Sequence, residues 1–140
     1  MKVYKFGGAS VKNAEGVRNL RKIIDDEQNL FIIVSAMGKT TNALERVFGA
    51  VQKSDRAAAM AEITALREYH AAIIDDLWHG PRRLDAVEEL FAELERVAAN
   101  TVYRAEDAEL WYDPVNLYGN IMVGLKTKYL ISWMIPILWV

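Results

Sequence analysis

Apolar residues recur along this chain with two different periods, and each switch of period marks an element. Met1 to Phe6, with Val3 and Phe6 among its apolar positions, predicts a strand that ends at the pair Gly7-Gly8. Asn13 is placed to cap a helix carrying Val17, Leu20, Ile23 and Ile24 at three- and four-residue spacing. After "DDEQN", the run "LFIIVS" (Leu30 to Ser35) is continuously apolar and rich in β-branched residues. Such a run predicts a strand buried on both faces, in a parallel sheet covered by helices. Residues 1–35 therefore read as β-α-β. The loop "AMGKTTN" follows, and Thr41 or Asn42 is expected to cap a helix bearing Leu44, Val47, Phe48 and Val51.

From Asp55 to Trp78 a long helical pattern places Ile63, Leu66, His70, Ile73, Ile74 and Leu77 on one face. "HGPRR" interrupts it, with Gly80 and Pro81 as stop signals. A further helix is marked by Leu84, Val87, Leu90, Phe91, Leu94 and Val97. The organisation expected is a β-α-β-α unit over 1–53, a helical hairpin over 54–100, and a segment of different composition over 101–140. The hairpin carries no clustered polar constellation, so its expected role is packing or covering.

Composition narrows the function classes. The 140 residues include 26% charged side chains and carry a net charge of −2, which argues against disorder and against a basic nucleic-acid surface. The absence of cysteine removes disulfides, thiolate metal sites and cysteine nucleophiles. "MKVYKFGG" reaches glycine too early for a secretory signal, so a cytoplasmic protein is expected. After Asp113 there is no acidic residue, and 14 of the last 20 residues are apolar. The tail "YLISWMIPILWV" is 12 residues long and contains Pro136, too short to cross a bilayer. It reads as core, possessed by a chain that stops within a fold, with a third strand expected in Ile135 to Val140.

The chemistry lies in the loops. Glycine at positions 7 and 8 directly after a strand does not match the G-x-G-x-x-G dinucleotide fingerprint. "GKT" at Gly38 to Thr40 resembles the end of a P-loop, but the glycine required five positions earlier is Ile33, inside the second strand. Two readings stay open from spacing alone. In one, Gly7-Gly8 is a tight turn and Lys5 a solvated charge. In the other, two strand ends together cradle a phosphate: Gly7 and Gly8 allow close backbone approach, Lys5 supplies a cation, and Ser35 projects from the neighbouring strand end.

"KVYKFGGASV" (Lys2 to Val11) and "IIVSAMGKTTNAL" (Ile32 to Leu44) resemble the two N-terminal signatures of aspartate kinase, within the amino acid kinase superfamily. "YHAAII" (Tyr69 to Ile74) and Tyr112-Asp113 are similar to further family features, and the resemblance extends to about residue 119. It implies a three-layer α/β/α fold with a mainly parallel sheet, here truncated after its first strands and carrying a long helical excursion. It implies transfer of the γ-phosphoryl of ATP, held as the Mg²⁺ complex, to the side-chain carboxylate of L-aspartate, the first step of lysine, threonine and methionine synthesis. By the same resemblance Lys5 is catalytic. Gly7, Gly8, Ser10, Ser35 and Ala36 line the phosphate path, and Thr41 helps to hold aspartate. Family members form homo-oligomers, through regions this chain does not include.

The resemblance also shows departures. Ala9 stands where threonine is usual. Gly119 matches a Gly-Glu pair, but Asn120 occupies the position of the glutamate that helps hold the substrate's amino group, and Leu117 replaces a serine. Asparagine is neutral and cannot offset an ammonium. The nucleotide-binding and regulatory segments of the family lie further on, so little phosphoryl transfer is expected of this chain alone. The alternatives are another kinase of the superfamily, or a non-catalytic remnant: an interaction fragment, or a non-functional product that keeps the ancestral loops. The other polar residues read simply: His70 as a core histidine, His79 as a partner of a helix C-terminus, and Asp25, Asp26 and Glu27 as a solvated helix end. Arg82 and Arg83 read as surface, Trp111 and Tyr112 as aromatic anchors.

Overall fold

The computed structural model describes residues 1–80 and 84–100 (Asn100 by its backbone only). Arg82, Arg83, Trp111, Tyr112, Asn120 and the third strand expected in Ile135 to Val140 lie outside the described residues. Two strands and four helices follow in the order β1 (Lys2–Phe6), α1 (Ala14–Ile24), β2 (Leu30–Val34), α2 (Thr40–Gln52), α3 (Arg56–Trp78) and α4 (Asp85–Asn100), with a 3₁₀ turn over Gly8–Val11. β1 and β2 pair in parallel, Lys2 opposite Leu30 through to Phe6 opposite Val34. The element order and the parallel pairing agree with an α/β fold, of which the described residues hold two parallel strands.

Parallel neighbours require a crossover, and α1 provides it. The Asn13 side chain accepts a hydrogen bond from the Gly16 N–H at 2.9 Å, satisfying one of the donors a helix start leaves unpaired. Ala14, Val17 and Leu20 turn inward, while Ile23, assigned to the same stripe by spacing, is exposed at the last turn. Arg18 ties this helix to the end of α3, donating to both the carbonyl and the carboxylate of Asp76. At the opposite end of the strands, Glu27 accepts from Lys2 (2.6 and 2.7 Å) and from the Tyr4 hydroxyl (2.9 Å), which holds its carboxyl below the usual range.

One core joins the helices to one face of the sheet. Phe6, with Tyr4, Ile32 and Val34 beside it, packs against a cluster containing Val11, Val17, Leu20, Met37, Leu44, Val47, Ile63, Leu66 and Phe91. The other face is open. Val3 (59% exposed), Phe31 (55%) and Ile33 (43%) share it with Lys5. The expectation that Leu30 to Ser35 is buried on both faces is therefore corrected. A continuous apolar run records that both faces tolerate burial, but the described residues supply a helical layer on one side only.

The helix ends contain two further corrections. α2 begins at Thr40, with Lys39 at the cap position and no side-chain cap from Thr41 or Asn42. Gly38 turns the chain with φ +52°, and the Thr40 hydroxyl donates to the Met37 carbonyl at 2.6 Å, closing the turn one residue earlier. α3 ends at His79, which adopts the left-handed conformation (φ 55°) more usual for glycine, and the N–H of Gly80 returns to the Asp75 carbonyl at 2.9 Å. The stop is thus made by His79 itself, with Gly80 one step beyond. At its start α3 is capped by the Asp55 side chain, which accepts from the Ala58 N–H.

His70 is a core residue, 1% exposed, on the face of α3 that meets α4. Its Nδ1 lies 2.9 Å from the Leu66 carbonyl, its Nε2 is buried without a partner, and its ring meets Tyr69 and Phe91 edge-on. Burial lowers its pKa, with the Leu66 carbonyl opposing that more weakly. The folded state thus takes up a proton less readily than the unfolded chain, whose histidine titrates near 6.5. The histidine's contribution is fully present above pH ~6.5 and is lost as pH falls through the lower folded value. Urea midpoints measured from pH 7.5 to 5 should fall, and the fall should be shallower in His70→Phe. The open face generates a second expectation. Phe31→Thr with Ile33→Thr should lower the urea midpoint only modestly and reduce light scattering at high concentration, because about half of each side chain is already in water and threonine keeps the strand preference.

Candidate functional site

The register of the sheet decides where the loop residues meet. Because Phe6 pairs with Val34, both strands end on one edge, and the ladder continues one step past it: the Ser35 N–H donates to the Phe6 carbonyl at 2.9 Å. The two loops therefore start side by side. Each is anchored to the core by one fully buried apolar side chain, Val11 in the first and Met37 in the second. A hydrogen bond of 2.9 Å from the Gly38 N–H to the Gly8 carbonyl joins them directly.

Gly7 and Gly8 differ in what their missing side chains make room for. A Cβ on Gly8 would lie 2.5 Å from the Ala36 carbonyl oxygen and 2.9 Å from that of Gly38. Glycine at position 8 is what lets the second loop lie against the first. A Cβ on Gly7 would meet nothing within 4 Å, so the space beside Gly7 is open to a ligand. The sequence-based reading gave both glycines to ligand approach; the geometry assigns Gly8 to contact between the loops.

The other expected site residues divide in the same way. Lys5, opposite Ile33, is exposed on the open face one residue before the strand end. Ser10 is exposed in the 3₁₀ turn, its N–H used by the Gly7 carbonyl (2.9 Å). Ser35 and Ala36 are half-buried at the start of the second loop. Thr41 is half-buried in the first turn of α2, one residue beyond the buried Thr40. Lys5, Gly7, Gly8, Ser10, Ser35 and Ala36 thus cluster at the carboxyl edge of the sheet, the place where open α/β sheets receive ligands. Among the described residues no group of three or more His, Cys, Asp and Glu side chains is arranged to hold a metal ion.

Three participants lie in motifs quoted from the sequence but were given no site role there. Gly38, read only as part of a false P-loop match and of the second signature, makes the bond to Gly8. Thr40 closes the turn that follows. Tyr69, from α3, donates its hydroxyl to the Lys12 carbonyl and stands directly over Gly38. The hairpin thus does more than cover, because it delivers a side chain to the loops. Next to them, Lys39, Thr40, Ala43, Arg46, Glu62, Ala65, Leu66 and Tyr69 line a cavity of about 180 Å³ between α2 and α3, spanned by an Arg46–Glu62 ion pair of 2.8 Å. Thr41 is not among its lining residues.

Comparison with known proteins gives this arrangement a context. The model of the "Amino acid kinase family" matches residues 1–109. The chain belongs to the amino acid kinase family. Over 100 residues, 65% of the chain, it is 37% identical to an aspartokinase of Chlamydia trachomatis, of which the match covers 22%. Over 144 aligned residues, 91% of the chain, it is 27% identical to the chloroplastic bifunctional aspartokinase/homoserine dehydrogenase 2 of Arabidopsis thaliana, covering 16% of that protein. The carrot bifunctional aspartokinase/homoserine dehydrogenase is 32% identical over 77 residues. The chain thus spans about a fifth of the length of the first two of these amino acid kinase relatives. Among its described residues no helix is long and apolar enough to cross a membrane.

The contrast between the two glycines is directly testable. Gly8→Ala should destabilise by about 1–3 kcal/mol, the range for forcing a group into filled space. Gly7→Ala, at φ −74° and ψ 164° with open space around it, should stay within about 0.5 kcal/mol. Denaturant unfolding of the two variants in parallel reads the difference.

Proposed function

We propose that this chain carries the phosphate-holding loops of an ATP-dependent kinase whose acceptor is the side-chain carboxylate of L-aspartate, and that the Lys5–Gly7–Ser35 edge faces the transferring phosphoryl group. The observation that carries the proposal is the junction at Gly8. Two loops matching both signatures of the resemblance are held against each other at the carboxyl end of parallel strands, beside open space at Gly7 and with a lysine one residue before the edge. The aspartokinase names of the relatives support aspartate as acceptor.

Residue types and reaction agree. A carboxylate oxygen attacks the γ-phosphorus, the bond from that phosphorus to the β,γ-bridging oxygen breaks, and ADP leaves with the electron pair. Nucleophile and phosphate are both anionic, so the protein's task is positioning and charge compensation. No general base is required, because the acceptor is ionised at neutral pH. Lys5 supplies a point charge. The N–H groups of Ser10 and Ser35 are engaged by Gly7 and Phe6 carbonyls, so these serines would approach the phosphate through their hydroxyls. The substrate ATP would bring Mg²⁺ to share the charge. Thr41 would face aspartate from the start of α2, and Asn120 holds the position of the expected glutamate.

Adding Mg²⁺·ATP to the ¹⁵N-labelled chain should move the amide signals of residues 7–10 and 35–38, and Lys5→Met should abolish those shifts. Aspartate should release no ADP from this chain by itself. Fusing residues 1–109 to the remaining length of the Chlamydia relative should give aspartate-dependent hydroxamate formation, reduced roughly 10²–10³-fold by Lys5→Met. An active fusion indifferent to Lys5, or loops unmoved by Mg²⁺·ATP, would refute the assignment.

A further inference from the structure

Tyr69 lies 57 residues from Lys12 in the sequence, yet its hydroxyl donates to the Lys12 carbonyl at the end of the first loop. The same hydroxyl stands over the second loop: a Cβ on Gly38 would fall 2.4 Å from it, and 3.6 Å from the Lys12 Cβ. Gly38 is also the residue whose N–H bonds the Gly8 carbonyl. Three segments therefore meet at one oxygen atom, and glycine at position 38 is required both by φ +52° and by the tyrosine above it.

The ring behind that hydroxyl is backed on one side. It is half-buried and edge-on to His70 with centroids 5.1 Å apart, and the His70 ring in turn lies 5.9 Å from Phe91 of α4. His70 is fully enclosed, so the rotamer of Tyr69 is backed by the contact between α3 and α4. A tyrosine hydroxyl is protonated at neutral pH and can donate, and burial moves the Tyr69 pKa further up.

We propose that Tyr69 is a positioning residue: its hydroxyl clasps the end of the glycine loop to the second loop, and so sets the gap in which the phosphate is held. The inference rests on the phosphate reading of the loops and adds to it a role for the helical excursion. Lys5, Ser10 and Ser35 would touch the anion. Tyr69 would act through Lys12 and Gly38.

The test uses the whole 140-residue chain with Tyr69→Phe, which keeps the ring and removes the donor. Amide hydrogen exchange at Gly38 reports the bond to Gly8, and exchange at Val47, inside α2, reports global stability. The expected result is exchange about fivefold faster at Gly38, from the loss of one hydrogen bond, whereas Ile63→Val, which loosens the buried core away from the loops, raises exchange at Val47 and leaves Gly38 as it was. The affinity for Mg²⁺·ATP should weaken by a similar factor. Unchanged exchange at Gly38 would overturn the proposal, as would an equal rise at Gly38 in Ile63→Val, which would mark a general stability effect. Unaltered affinity in a variant with faster Gly38 exchange would also overturn it. If the parent chain binds no Mg²⁺·ATP while Gly38 responds as expected, the clasp stands and the kinase reading of these loops fails instead.

Discussion

The rest of the structure depends on the last rung of a two-stranded parallel ladder. Because Ser35 donates to Phe6 just past the pairing of Phe6 with Val34, the chain leaves both strands at the same height and on the same edge. Parallel strands cannot be joined by a tight turn, so α1 must carry the chain back, and its length is fixed by the strand it returns along. Once the two exits are level, the loops have nowhere to go but against each other. The missing side chain of Gly8, the left-handed turn at Gly38 and the buried anchors Val11 and Met37 are the local means by which that contact is made without strain.

The helical excursion packs behind the contact and reaches it through Tyr69. α3 lies between α2 and α4 and reaches α1 through Arg18 and Asp76. Its outer contact is specific in register: the Arg67 guanidinium stands 5.3 Å from the Phe91 ring and pairs with Glu95 at 3.0 Å and Glu88 at 3.8 Å. Those three residues of α4 lie on one stripe, so sliding α4 by a turn would separate the cation from its ring. Exposed ion pairs contribute little individually. Here a ring and two carboxylates converge on one half-buried guanidinium, and this selects one alignment over its neighbours. The same alignment backs His70, and His70 backs Tyr69.

How much of this could be read in advance depends on the range of each interaction. The helices and their core faces were legible because Ile63, Leu66, His70, Ile73 and Ile74 obey a local period, and Asn13 caps through a bond three residues long. The starting point of α2 was not, since it is set by the conformation of Gly38 and by the Thr40 hydroxyl rather than by the best capping residue nearby. The residues clustered at the sheet edge were legible through the resemblance. The separate roles of Gly7 and Gly8 were hidden, because a glycine in a sequence does not say which object occupies the space its side chain would fill. Tyr69 could not be placed at all from spacing, for its partner is on another element.

The uncovered sheet face has an electrostatic consequence. Lys5 emerges among Val3, Phe31 and Ile33 into water, where a charge 4 Å away feels about 1 kcal/mol of its field. Were an apolar layer laid over those three side chains, the effective dielectric constant around the ammonium would fall, and the same pair of charges would attract by about 4 kcal/mol at a dielectric constant near 20. The strength of this cation is therefore governed by whatever sits on the sheet behind it, so that a purely hydrophobic contact would act as an amplifier of charge.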